Sequence, residues 1–234
     1  MITMMIQNYD DFIRELWQVG FSGAVGGRDD GVFALFRYGW GAEEETGIVW
    51  HTGDPDTDPW EWRMRVLEER NDIAYGKLFF NKAGYITKEW YPYFLAARRG
   101  NSTFEEEYED GRFSRFAKRI YDTVVRHESL ALQDIKRLGG FKREDKSKFD
   151  SALTELQMGM FLTMSGRQQK RNYKGEISGW SSTMFCTVES FFGEDVFDEA
   201  AEISAEKATS KIAERIYSLN PQASQKKIER FIRG

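Results

Sequence analysis

Leu130-Ala131-Leu132-Gln133-Asp134-Ile135-Lys136-Arg137-Leu138-Gly139-Gly140, followed by Lys146-Ser147-Lys148-Phe149-Asp150-Ser151-Ala152-Leu153-Thr154-Glu155-Leu156-Gln157-Met158, is the stretch that decides the fold. The first piece predicts a short helix over Leu130 to Leu138. It stops at Gly139-Gly140, a terminator placed where a tight helix-turn-helix needs one. The second piece repeats the helical period with Phe149, Leu153 and Leu156 inward, which leaves Lys146, Lys148, Asp150 and Thr154 on the other face. Upstream, Phe113, Phe116, Ile120 and Val124 stripe a helix that runs to Glu128. Downstream come an apolar run from Met160 to Met164, a polar stretch from Ser165 to Gly179, and a second strand-like run from Trp180 to Val188. Helix, helix, helix, strand, basic loop, strand is the order of a winged helix, with the third helix as the recognition helix and the loop as the wing.

The charge distribution bears on the partner. The net charge is −5, yet residues 1–62 hold 12 Asp/Glu against 3 Lys/Arg, a balance of −9, whereas residues 136–175 hold 10 Lys/Arg against 4 Asp/Glu, a balance of +6. A local excess of that size can neutralise several phosphates, although charge runs are also common on purely solvated surfaces. In a winged helix both basic elements lie on one DNA face. Lys146 and Lys148 on the helix and Arg167, Gln168, Gln169, Lys170 and Arg171 in the wing are therefore the candidate nucleic-acid-binding residues, with double-stranded DNA as the expected partner. Many winged helices bind proteins instead, so a protein partner is the other class left open.

Working outward toward the amino terminus, Asp10 can cap a helix with Phe12, Leu16 and Val19 inward. Gly20 to Gly27 is turn-rich, but no Gly-Lys-Ser/Thr follows and no dinucleotide spacing is present, which excludes a phosphate loop. Val32 to Tyr38 and Gly47 to Trp50 read as strands, Pro59 to Asn71 as a helix, and Leu78 to Thr87 as a hairpin turning at Asn81 to Gly84. Thr87 caps a further helix through Tyr91, Phe94 and Leu95, with Pro92 tolerable only in its first turn. The acidic run from Asn101 to Gly111 reads as a linker. In the tail, Ile203, Ala208, Ile212, Ile216 and Leu219 stripe one long helix, and Ile228, Phe231 and Ile232 begin another after the Asn220-Pro221 break. This resembles the start of a second helix-turn-helix with no recognition helix, so it is expected to pack on the body.

The segment Trp50-His51-Thr52-Gly53-Asp54-Pro55-Asp56-Thr57-Asp58-Pro59-Trp60-Glu61-Trp62-Arg63 reads as a site. Asp58-Pro59 has the form of an N-cap and first helical residue, so the carboxylates sit just before a helix. Asp54, Asp56 and Asp58 supply groups able to stabilise positive charge or orient water. His51 is a candidate base because a histidine's ordinary pKa lies near neutrality, and Trp50, Trp60 and Trp62 offer rings on which an extruded base could stack. The alternative is that the aspartates cap turns and a helix while the tryptophans fill a core. Asp54-x-Asp56-x-Asp58 lacks the glycine and distal glutamate of a calcium loop, and zinc is disfavoured by one cysteine and two distant histidines, so no metal and no cofactor is expected. Cys186 reads as a packed small hydrophobe. A single cysteine and the lack of a long apolar run point to a cytoplasmic chain with no membrane span.

Trp50 to Arg63, Ala74-Tyr75-Gly76, Gly84 to Ala97 and Leu130 to Trp180 together resemble the AlkZ-type winged-helix DNA glycosylases, and more closely the group called AlkZ-related proteins. The resemblance implies a winged-helix scaffold that cradles damaged DNA and hydrolyses the bond between an alkylated base and its sugar. In the characterised glycosylases a Gln-x-Gln or Gln-x-Asp motif positions the water. The matching place here is His51-Thr52-Gly53 followed by Asp54-Pro55, with neither glutamine present.

The expectation is thus an α+β, mostly helical protein. Residues 1–100 form a mixed domain carrying the aspartate segment, 112–192 a winged helix-turn-helix, and 198–234 a helical extension. Two functions remain: a DNA glycosylase with His51, Asp54, Asp56 and Asp58 as catalytic candidates, or a non-catalytic winged-helix protein that binds DNA or a protein.

Overall fold

The computed structural model describes residues 6–24, 47–169, 174, 179 and 181–234. The strand expected over Val32 to Tyr38, and the wing residues Lys170 and Arg171, lie outside these. The described residues form an α+β arrangement of helices around two small antiparallel sheets.

Helix α1 (Tyr9–Val19) is capped not by Asp10 but by Asn8, whose side chain accepts from the Asp11 amide at 2.9 Å. Its stripe Phe12, Leu16 and Val19 is buried, as the period dictates. Strand β1 (Phe21–Gly23) follows where the glycines predicted turns. Residues 47–50 form no strand; their backbone instead folds into the turns that lead to α2 (Pro59–Glu69). Strands β2 (Ile73–Phe79) and β3 (Lys82–Thr87) pair with β1 in the order β1-β3-β2. Their connection is the pair Phe80-Asn81, both with positive φ (51° and 61°), the geometry of a two-residue hairpin turn, rather than Asn81 to Gly84. Gly84 lies within β3 because the Phe79 ring covers it: a Cβ there would come within 2.5 Å of that ring. Thr87 does not cap the next helix; its hydroxyl donates to the Gly20 carbonyl at 2.9 Å. Helix α3 (Tyr91–Arg98) begins at Trp90, with Pro92 in the first turn.

The acidic run expected as a linker contains a helix. In α4 (Phe104–Glu109), Thr103 accepts from the Glu106 amide while the Glu106 carboxylate accepts from the Thr103 amide. Phe104 is buried, stacked on Tyr121 at 4.1 Å, which anchors the segment. Helix α5 (Arg115–Val125) starts at its Ser114 cap. Leu130–Ala131 is a short strand, β4, that precedes α6 (Leu132–Leu138). A 3-10 turn at Arg143–Asp145 leads into α7 (Lys146–Met158), with the bounds the sequence implied. Strands β5 (Leu162–Gln168) and β6 (Ser182–Thr187) complete a sheet in the order β4-β6-β5. Four helices follow: α8 (Val188–Phe192), α9 (Asp195–Ala201), α10 (Ala205–Leu219) and α11 (Gln225–Arg233).

The cores explain how the parts are held together. One lies around α5, α6, α7 and the second sheet, with Ile120, Ile135, Phe149, Leu156 and Phe185 inside. Another combines β2 and α3 with the tail: Phe79 stacks face to face on Phe231 at 3.9 Å, and Ile212 and Ile216 share that cluster. The tail packs on the body because its apolar stripes have no other surface to cover. Arg98 locks the junction. Its half-buried guanidinium donates to the carbonyls of Leu78, Met158, Phe231 and Ile232, so that the partial negative ends of α7 and α11 offset its charge.

Candidate nucleic-acid interface and aspartate segment

The aspartate segment is built around Asp58. This side chain is fully buried, and its two oxygens accept from three backbone amides: Trp60 at 2.8 Å, His51 at 3.0 Å and Gly53 at 2.9 Å. It caps α2 as Asp-Pro predicted and also closes the loop back on itself. The closure holds His51 at φ 63° and Gly53 at φ 79°, left-handed backbone that a histidine adopts at a cost of about 1 kcal/mol. Asp58 is thus shielded from solvent and committed to the turn. Asp54 is exposed. Its carboxylate accepts from the Asp56 amide at 2.8 Å, and this bond, aided by the Thr57 hydroxyl, holds its pKa below the usual aspartate value. Asp56 is exposed too and pairs with Arg65 at 2.9 Å; Arg65 also reaches Glu69 at 2.7 Å and lies over the Tyr9 ring.

The three tryptophans part ways. Trp62 is wholly buried with its ring stacked on Phe12 at 5.2 Å, so none of its faces is open to a base and the core alternative holds for it. Trp50 is half-buried, packed against the same cluster, with its ring 6.2 Å from that of His51. Trp60 is exposed; Arg63 covers one of its faces with the guanidinium carbon 3.5 Å from the ring centre, and the His51 ring stands 4.9 Å away at a tilt. His51, Trp60 and Arg63 therefore form a small surface stack at the start of α2. Arg63 was not among the sequence candidates, although its i, i+3 spacing from Trp60 was the available signal.

Arg167 connects this region to the second sheet. From β5 it reaches across to Glu61 at 2.6 Å and Glu68 at 2.9 Å, both on α2. Gln168 ends β5 opposite Ser182, and Gln169 is exposed beyond it. On α7, Lys146 is exposed and paired with Asp150 at 2.7 Å, while the Lys148 ammonium lies 5.7 Å from the Phe116 ring centre.

The far half of α7 departs from the expectation. Thr154 is buried rather than free: its hydroxyl accepts from Lys77 on β2 at 3.2 Å. Gln157, also buried, accepts from the Lys77 amide at 3.0 Å and donates to the Leu153 carbonyl at 2.9 Å. The free edge of β2 has unsatisfied backbone groups, and α7 supplies a polar side chain to one of them. The face of α7 that carries Thr154 and Gln157 is thus covered by β2, whereas its first turn, with Lys146 and Lys148, is exposed.

Among the described residues no cluster of three or more His, Cys, Asp or Glu side chains is arranged to hold a metal ion. No helix of the described residues is long and apolar enough to cross a membrane. Cys186 is buried beside Ser165, and burial pushes its thiol up to about 11.

These features define an α+β protein with two small antiparallel sheets and a surface segment rich in carboxylates that leads into α2, the helix bridged to the second sheet by Arg167. A family model described as AlkZ related matches residues 6–233, nearly the whole chain, and the chain belongs to that family. Searches of curated proteins and of solved structures found no match.

Proposed function

We propose that this protein binds duplex DNA through a winged helix formed by residues 112–192 and acts in DNA repair as a glycosylase, with His51 and Asp54 at the reacting bond. The observation that carries the reading is the Arg167 bridge to Glu61 and Glu68, because it ties the hairpin of the DNA-gripping module to the helix that begins at the aspartate segment. Grip and chemistry would then occupy neighbouring elements. Support comes from the family, from the element order α5-β4-α6-α7-β5-β6 with sheet order β4-β6-β5, and from the lysines on the open first turns of α7.

Loss of a base from its sugar builds positive charge on the ring. A carboxylate kept ionised by donated amide hydrogens, as Asp54 is, suits stabilising that charge and holding the attacking water better than it suits donating a proton. His51, beside Trp60, is the remaining group able to take a proton from that water.

A second reading, a DNA-binding protein without catalysis, is favoured by one observation: all three aspartates serve the loop itself, Asp58 as cap, Asp54 as turn acceptor and Asp56 as the partner of Arg65. Base release from alkylated duplex, measured for the native protein and for Asp54→Asn and His51→Ala, separates the two. Release that falls at least tenfold in both variants, with duplex affinity unchanged, supports the glycosylase. Binding without release in the native protein leaves the non-catalytic reading.

A further inference from the structure

The turn between α6 and α7 forms a pocket of about 210 Å³ lined by Lys136, Phe141, Lys142, Arg143, Lys146 and Phe149. Four of the six side chains are cations and none is acidic. Asp150 is shared by Lys146 at 2.7 Å and Lys136 at 3.9 Å, and the Asp145 carboxylate accepts from the Lys142 amide at 2.9 Å. The Lys142 ammonium and the Arg143 guanidinium form no ion pair among the described residues, although Glu144 stands next to them in the turn. The floor is apolar: Phe141 and Phe149 meet edge to face at 4.8 Å. A cation covers one face of each ring, Arg119 at 4.3 Å over Phe141 and Lys136 at 4.8 Å over Phe149, and Phe149 is buried. The wall is also braced, because Arg119 donates to the carbonyls of Gly139 and Gly140 at the end of α6.

A concave cationic rim over a low-dielectric floor fits a compact anion better than it fits a base or an apolar side chain. We infer that this pocket seats one phosphate group, held by Lys142 and Arg143 with Lys136 and Lys146 at the flanks. On the duplex reading above, on which this identification of the source rests, it is a backbone phosphate, and its capture sets how the first turn of α7 enters the groove.

The test is duplex affinity against salt concentration for the native protein, Lys142→Ala, Arg143→Ala and the double variant, with Lys207→Ala on α10 as a control cation. Each pocket substitution should lower the slope of log affinity against log salt by about 1, which is about a 3–4-fold smaller loss of affinity between 50 and 200 mM salt, and Lys207→Ala should not. Native binding with slopes unchanged in the double variant would overturn the phosphate seat while leaving DNA binding intact. If the native protein does not bind duplex, the reading under Proposed function fails, and titration with inorganic phosphate decides the seat alone. Shifts of the Gly140 and Phe141 amide resonances that vanish in the double variant support it; their absence in the native protein overturns it.

Discussion

Replacing Asp58 with alanine removes one side chain and strands three amide donors. The N-cap bond to Trp60 contributes about 1 kcal/mol in a typical helix. The bonds from His51 and Gly53 add roughly 0.5–1.5 kcal/mol each, since both are part-buried bonds to a buried carboxylate from residues on an exposed turn. The sum is a loss of about 2–4 kcal/mol, which for a chain of this size lowers Tm by roughly 5–12 °C. Asp58→Asn keeps one accepting oxygen and should cost about 1 kcal/mol. Urea unfolding followed by fluorescence, with the slope m equal in all three proteins, measures both values. An alanine variant within about 0.5 kcal/mol of the native protein would refute the claim that Asp58 holds this loop in shape.

Four further outcomes follow from the same contacts. Gly84→Ala should destabilise by about 1–3 kcal/mol in calorimetry, since the new methyl group meets the Phe79 ring at 2.5 Å and the Ser22 carbonyl at 2.9 Å. Arg167→Ala, which cuts both bridges to α2, should cost about 1 kcal/mol at low salt and less at 0.5 M salt, as partly exposed ion pairs do. Burial raises the Glu15 carboxyl above its ordinary value, so the folded state favours its protonated form. Stability linked to that proton is present below the ordinary glutamate pKa and is lost as pH rises through the raised one; Glu15→Gln should therefore gain on the native protein as pH rises past about 4.5, in parallel urea titrations. Cys186, buried with its thiol pushed up to about 11, should resist a disulfide reagent at pH 8 until denaturant unfolds the chain.

The parts of this structure that were legible in the sequence are those set by neighbours along the chain. Asp58-Pro59 announced a helix start, Pro92 fell in a first turn, and the apolar periods of α1 and α7 matched their buried faces, as did Ile120 and Val124 of α5 and Ala208, Ile212 and Ile216 of α10, while Phe113 and Ile203 lie before their helices. What misled was local chemistry outvoted by distant packing. The acidic composition of residues 101–111 hid a helix because one residue, Phe104, finds a buried slot against Tyr121. Thr154 looked free on the helical wheel, yet Lys77, 77 positions away, takes its hydroxyl. The candidate site divides along the same line. That Asp58 would cap α2 was readable; that it would also gather His51 and Gly53 was not, because a loop closing on itself leaves no periodic trace. Arg167 was assigned to the wing from the order of elements and its charge, whereas it lies within β5 and its partners Glu61 and Glu68 come about a hundred residues earlier, beyond the reach of any spacing rule.

The central claim is that this fold grips duplex DNA and releases a damaged base beside Asp54. Its most direct test incubates the purified protein with plain and alkylated duplex at two salt concentrations and measures binding and base release in the same tubes, with Asp54→Asn in parallel. The account predicts binding that weakens as salt rises, and release from the alkylated duplex that disappears in the variant. No binding at low salt would contradict it and turn attention to a protein partner.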